Sequence, residues 1–316
     1  MEQYNLNILR TMEENLGYCL LGKKEEIKLL LIALISGGHV LLEGMPGTGK
    51  TLLVKALAEM IEGEFRRVQC NPDLLPSDIT GFSIYHPKEE KFIFRQGPVM
   101  TNILLMDEIN RASTKTQSAL LEAMEEKQVS VDGDIYPLPQ PFLVLATQNP
   151  IDFEGTYPLP EAQLDRFMMK IHIGYPDQAI EKDLLIGNGT SKSIEKIKGV
   201  TNIEAISEIQ HKVEEVYVDE KVIDYLLDIV SQTREHPQLI LGASPRASLS
   251  LLKGVKALAL IQQRSFVTPD DVKFLTPYVF CHRFIINPEA RMDGSTEYSI
   301  LQSILENVKV PKGLEK

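Results

Sequence analysis

Eight consecutive residues, Gly44-Met45-Pro46-Gly47-Thr48-Gly49-Lys50-Thr51, carry three glycines, a lysine and two threonines and fit the order G-x-x-x-x-G-K-T. That spacing suits polyphosphate chemistry. Glycines let backbone N–H groups close around phosphate oxygens, and a following helix presents its positive end to them. Lys50 can reach the β- and γ-phosphates, and the Thr51 hydroxyl can bind Mg²⁺. The candidate binding set is Gly44 to Thr51 with Leu52, and the ligand it predicts is ATP with Mg²⁺. No Asn-Lys-x-Asp segment occurs, which disfavours guanine.

A second constellation follows the apolar run Ile103 to Met106, which ends in Asp107-Glu108. In doubly wound sheets ligands sit at the carboxyl ends of the strands, so both carboxylates can face the loop. Asp107 would hold Mg²⁺ through water, and Glu108 would polarise the attacking water. Asn149, in Ala146-Thr147-Gln148-Asn149-Pro150, could hold that water or touch the γ-phosphate; a turn-forming Asn before Pro is the plainer alternative. Three arginines stand near element ends. Arg166 precedes a strand, and Arg111 suits either a neighbour's nucleotide or a local salt bridge. Arg246 lies in a helix's first turn, where a cation opposes the helix dipole and calls for an anion, a phosphate or a carboxylate alike. His172 reads as a solvated edge residue, and spacing gives His282 and Arg283 no role.

The elements that must position these groups are legible in outline. Lys24 to Ser36 reads as a helix, Val40 to Leu42 as a strand, and Lys50 to Glu62 as a helix ended by Gly63, so the glycine loop joins strand to helix. Ile103 to Met106 and Phe142 to Ala146 are apolar throughout, as suits strands covered on both faces of a parallel sheet. Val68 to Cys70 is a weaker strand, and Phe167 to Ile173 alternates like a half-exposed edge strand. An insertion from Asn71 to Asn102 contains two short strands, Phe82 to Tyr85 and Lys91 to Phe94. A second, Gln128 to Pro139, turns at Asp132-Gly133 as a hairpin. Beyond a boundary at Gly174 to Asp177 helical patterns take over. These are Asp219 to His236, a helix opened by Ser244-Pro245 and running to Gln263, and another opened by Thr268-Pro269.

The 316 residues allow a sizeable core and more than one domain. The formal charge of −11 argues against sequence-independent duplex binding, where a basic surface supplies most of the affinity, so nucleic acid is not an expected partner. Three distant cysteines form no metal or redox spacing and read as reduced thiols. The N-terminus lacks a signal-peptide pattern, and Leu29 to Ile35 is too short to span a membrane. The expected setting is the cytoplasm.

With these segments in order, the chain resembles the MoxR family of AAA+ ATPases, in the clade with a helix-2 insert. The resemblance runs from about Leu16 to Arg283 through GMPGTGKT, NPDLLPSDITG (Asn71 to Gly81), MDEINRA (Met106 to Ala112), QSALLEAMEEKQVSVDG (Gln117 to Gly133), ATQNP, EGTYPLPEAQLDRF (Glu154 to Phe167) and GASPRA (Gly242 to Ala247). It implies an α/β fold: a three-layer αβα phosphate-loop core with a parallel five-stranded sheet, residues 1–175, followed by an all-α lid, residues 176–316. It makes 71–102 the helix-2 insert and 128–139 the pre-sensor-1 hairpin. Asn149 becomes the sensor-1 residue and Arg166 an arginine finger entering the adjacent subunit's site. Arg246 becomes sensor 2 from the lid, serving its own subunit's site. Adenine contact falls near Leu21-Gly22-Lys23. The family implies a hexameric, chaperone-like ATPase, often with a von Willebrand factor A-domain partner. A slow nucleotide-dependent assembly switch and the ATPase subunit of a metal chelatase are the competing expectations.

Overall fold

The computed structural model describes residues 2–45, 47–149, 156–186 and 199–313. Pro46 of the glycine loop, Pro150, and Glu154 and Gly155 of the quoted segments lie outside the described residues. The chain opens with helices α1 (Glu2–Cys19) and α2 (Lys24–Ser36), strand β1 (Val40–Gly44), α3 (Lys50–Met60) and β2 (Phe65–Gln69). A short helix α4 (Pro76–Thr80) leads into the hairpin β3 (Gly81–His86) and β4 (Lys91–Gln96). Then come β5 (Ile103–Asp107), α5 (Thr114–Glu126), the hairpin β6 (Gln128–Val131) and β7 (Asp134–Pro137), β8 (Leu143–Gln148), α6 (Glu161–Leu164) and β9 (Met169–Ile173). The remainder is α7 (Gln178–Leu185), α8 (Ile203–Glu215), α9 (Glu220–Glu235), β10 (Leu239–Leu241), α10 (Pro245–Ile261), α11 (Pro269–Phe280), β11 (Ile285–Ile286), α12 (Pro288–Met292) and α13 (Glu297–Asn307).

Five strands form one parallel sheet in the order β2-β5-β8-β1-β9. Its core follows from the pleat. Successive side chains point to opposite faces, so Leu105 and Leu145 join one apolar cluster while Leu104, Met106, Val144 and Ala146 join another. The first cluster is completed by α1, α2, α3 and the helices from α8 onward, and the second by α4 and α5. Both faces are covered, which explains the unbroken apolar runs. At the edge, β9 buries Met169, Ile171 and Ile173 and leaves His172 exposed, as its alternation predicts.

Several boundaries move. The helix after the glycine loop stops at Met60, two residues before the expected Glu62, because Ile61 leaves helical geometry. The weak Val68–Cys70 candidate is a full strand, Phe65–Gln69, displaced toward its N-terminus. Its charged Arg66 and Arg67 mask it in sequence because it lies at the sheet's other edge. Helix α4 packs Ile79 into the core, where punctuation alone argued only against one long helix. The helical C-terminal part also carries a two-residue-deep antiparallel ribbon, β10 with β11. Capping is as the sequence suggests: Ser244 caps α10, and Thr268 with Asp271 forms a reciprocal box on α11.

His39, just before β1, ties the sheet's amino edge together. Its Nδ1 accepts from the Val144 N–H at 3.0 Å, so Nε2 carries the proton and meets the Met124 carbonyl at 3.2 Å. Burial pushes the imidazole from 6.5 down to about 4, outweighing the Met124 hydrogen bond. The folded protein therefore binds fewer protons than the unfolded chain between those values, and stability falls as pH falls through that window. The expected loss from this residue is about 2 kcal/mol by pH 5. Urea unfolding at pH 7.5 and pH 5 should show the drop, and His39→Gln, which keeps a donor and an acceptor, should shrink it. An identical pH dependence in that variant would contradict the assignment.

Candidate functional site

The carboxyl ends of β1, β5 and β8 and the edge strand β2 surround a cleft of about 420 Å³. It is lined by Gly44, Gly47, Thr48, Gly49, Lys50, Thr51 and Leu52 from the loop, and by Asp107, Glu108 and Asn149 from the neighbouring strand ends. Gly47 and Gly49 have φ of 80° and 85°, the left-handed region where a side chain costs free energy. Gly49 is also the N-cap of α3 and offers no side-chain acceptor to the first-turn N–H groups. An uncapped helix start beside a glycine loop is a cradle for anionic oxygens. Lys50 folds back so that its ammonium donates to the Gly44 and Met45 carbonyls at 2.7 and 2.9 Å. Burial lowers its pKa from the ordinary lysine value, while the Asp107 and Glu108 charges work to restore it. Met45 contributes this carbonyl and does not line the cleft.

Opposite the loop, Asp107 and Glu108 are fixed by one hydroxyl. Thr147 Oγ1 donates to Asp107 Oδ1 at 3.1 Å and accepts from the Glu108 N–H at 2.9 Å. Glu108 itself sits at φ 57°, ψ 52°, a left-handed conformation that a non-glycine residue adopts at a cost of about 1–3 kcal/mol. Its carboxylate accepts from Gln69 Nε2 at 2.8 Å and pairs with Arg111 Nε at 3.2 Å. Of the two expectations for Arg111, the local ion pair is present in the single chain. Strain held by three neighbours at a cleft is a feature of positioned catalytic groups.

The arginines are sorted by the direction of the strands. Arg166 precedes β9, and the Met168 N–H donates to the His39 carbonyl, immediately before β1. Both therefore lie at the amino edge, one strand length from the loop, roughly 16 Å at about 3.3 Å per residue. Arg166 Nε pairs with Glu125 Oε2 at 2.9 Å. Arg246, expected to serve its own subunit's site, is at the same edge: its Nη2 pairs with the other oxygen of Glu125, and Nη1 lies 4.0 Å from Asp165. The reason is the docking of α10, whose cap Ser244 donates to Asp165 at 2.7 Å. The structure thus brings Arg246 to Arg166 and not to the cleft. Gly22, proposed near adenine, packs against Ile180 outside the lining residues. The loop does meet the residue that follows α1, since a side-chain carbon at Gly49 would fall 2.9 Å from Leu20 Cδ1.

Sequence reasoning missed Arg67, Gln69, Thr147 and Arg283. Arg67 and Gln69 line the cleft from β2; their two-residue spacing is the signal, usable only once β2 is recognised. Arg283 is buried and donates to Asp165, Phe167 and Met168, clamping the segment that carries Arg166. A cation would have to be held largely by oxygen: the Thr51 hydroxyl and Asp107 suit Mg²⁺ with phosphate oxygens. Among the described residues, no cluster of three or more His, Cys, Asp or Glu could hold a metal without a ligand's help.

Residues 39–169 match the model of the ATPase family associated with various cellular activities (AAA), and residues 231–304 match that of the AAA lid domain. The uncharacterized protein YeaC of Bacillus subtilis is 49% identical over 298 residues, covering 94% of this chain and 93% of that protein. Chaperone MoxR1 of Mycobacterium tuberculosis is 41% identical over 302 residues, covering 93% of this chain and 80% of its own. A crystal structure of a protein from Cytophaga hutchinsonii superposes with a TM-score of 0.91 at 40% identity, covering 98% of this chain and 97% of that one. The chain belongs to the MoxR family of AAA+ ATPases.

Proposed function

We propose that this protein hydrolyses ATP with Mg²⁺, as a hexameric ring that remodels or activates a protein complex. The observation that carries this reading is the split of the charged groups between the sheet's two edges. The loop, Asp107, Glu108 and Asn149 sit at the carboxyl edge, and Arg166 and Arg246 at the amino edge. Arginines held at the edge away from their own cleft are placed for a neighbour's. A head-to-tail contact, repeated, closes into a ring when its rotation divides a full turn.

In this reading the Gly44 to Leu52 cradle and Lys50 hold the β- and γ-phosphates, and Thr51 and Asp107 hold the metal. Bound Mg²⁺ would neutralise phosphate charge as it develops. Glu108 orients a water and takes its proton, while Asn149 positions that water or the γ-phosphate. The water oxygen bonds to the γ-phosphorus, the bond to the β–γ bridging oxygen breaks, and ADP and phosphate leave. Arg166 and Arg246 enter from the adjacent subunit, a revision of the same-subunit role for Arg246. Residues 1–175 form the nucleotide-binding core and 176–316 the lid, with Gly22 near the adenine. The chaperone name of the mycobacterial relative supports remodelling. A von Willebrand factor A-domain protein is the proposed partner and the cytoplasm the proposed setting. No described helix is long and apolar enough to cross a membrane.

Removal of Lys50 should abolish nucleotide binding, whereas Glu108→Gln should bind ATP and turn over at least about 100-fold more slowly. Equal, negligible single-turnover rates in wild type and Glu108→Gln would favour the assembly switch. Specific activity should rise with protein concentration, and Arg166→Ala should bind ATP yet lose about 10³-fold or more in rate. A concentration-independent rate that Arg166→Ala leaves unchanged would rule out a shared site.

A further inference from the structure

Arg67 projects from β2 into the cleft, two residues before Gln69 and on the same side of the strand. Its guanidinium reaches two partners. Nε meets Asp107 Oδ2 at 2.6 Å, and Nη2 donates to Gln69 Oε1 at 3.2 Å. The amide of Gln69 is thereby oriented so that its Nε2 donates to Glu108 at 2.8 Å. One arginine thus joins both carboxylates, touching the first directly and the second through a glutamine. Thr147 occupies the other oxygen of Asp107, so Arg67 covers the side that remains.

The charge pattern gives this contact a purpose. Asp107 and Glu108 are adjacent carboxylates, and Lys50 is turned back onto the loop carbonyls. Arg67 is the cation that touches Asp107, whereas Lys50 acts on it only through space. A divalent cation held by Asp107 would repel a guanidinium on the same carboxylate. Arg67 has somewhere to go, because its side chain is 49% exposed while that of Asp107 is 10%.

We propose that Arg67 is a stand-in cation for the metal. It neutralises Asp107 before nucleotide arrives, and it must leave for Asp107 to take part in holding Mg²⁺. Its departure frees Gln69 from its acceptor contact and loosens the Gln69 grip on Glu108. Metal binding and release of Glu108 are then coupled through β2. This makes Arg67 a positioning residue, and the idea rests on the ATPase reading above.

The test is a binding measurement and needs no turnover. Fluorescent N-methylanthraniloyl-ADP is bound to the full-length protein, free Mg²⁺ is titrated, and the half-point is read. Arg67→Ala should reach it at about tenfold lower Mg²⁺, the scale of one charge-assisted hydrogen bond at a half-exposed site. Arg67→Lys, with the charge but without the fixed fork, should fall between the two. Gln69→Ala should lower the half-point in wild type and add nothing in Arg67→Ala, because the two act as one unit. An unchanged half-point in Arg67→Ala and Arg67→Lys, with nucleotide binding intact, would overturn the role of Arg67 alone. So would loss of ADP binding by Arg67→Ala with and without Mg²⁺, which would make Arg67 a phosphate contact. Failure of the wild type to bind the ADP analogue at all would overturn the ATPase reading and this one with it.

Discussion

A parallel strand has two unlike ends, and in this sheet all five strands point the same way. Whatever follows a strand is separated from whatever precedes one by the strand's length, roughly 16 Å for five residues. The glycine loop follows β1, the tandem carboxylates end β5, and Asn149 follows β8. Arg166 precedes β9, and Glu125, at the end of α5, returns to that same edge to meet it. The buried Arg283 and the capped start of α10 fasten the arginine segment there, so its position is set by core packing. A cleft on one edge and paired arginines on the other is the arrangement that the proposed shared site requires.

Within the cleft the recurring problem is negative charge. Two adjacent carboxylates and a polyphosphate repel one another unless cations intervene. The loop answers with backbone N–H groups and Lys50, and β2 answers with Arg67. Geometry is secured at some cost. Glu108 is held in a left-handed conformation by Thr147, Gln69 and Arg111, which fixes its carboxylate without burying it. A residue constrained in this way responds to its neighbours, and the relay from Asp107 through Arg67 and Gln69 gives it one to respond to.

Much of this was legible in sequence because it is local. The loop lies within eight residues, the carboxylates terminate an apolar run, and a strand buried on both faces announces itself by having no polar position. What stayed hidden depends on pairing between distant segments. β2 looked weak because an edge strand tolerates Arg66 and Arg67, and with the strand went the cue to Arg67 and Gln69. Thr147 has no local signal, because its two hydrogen bonds cross to another strand. The family resemblance, not the helix, puts Arg246 at its own cleft: the first turn of a helix reveals the need for an anion but not which one, and docking of α10 supplies Glu125. Helix α1 carries its own signal, since Leu9, Met12, Leu16 and Cys19 keep a helical period and are buried.

The central claim is that one subunit's loop works with the next subunit's arginine. Glu108→Gln and Arg166→Ala spoil opposite halves of that junction, so mixing them rebuilds intact junctions that neither possesses alone. In a randomly mixed ring about a quarter of junctions would join an Arg166→Ala loop to the arginine of a Glu108→Gln subunit. Recovery of ATP turnover on mixing the two inactive proteins is the predicted result. Mixtures no more active than the separate variants, with subunit exchange verified by mass, would contradict a shared site.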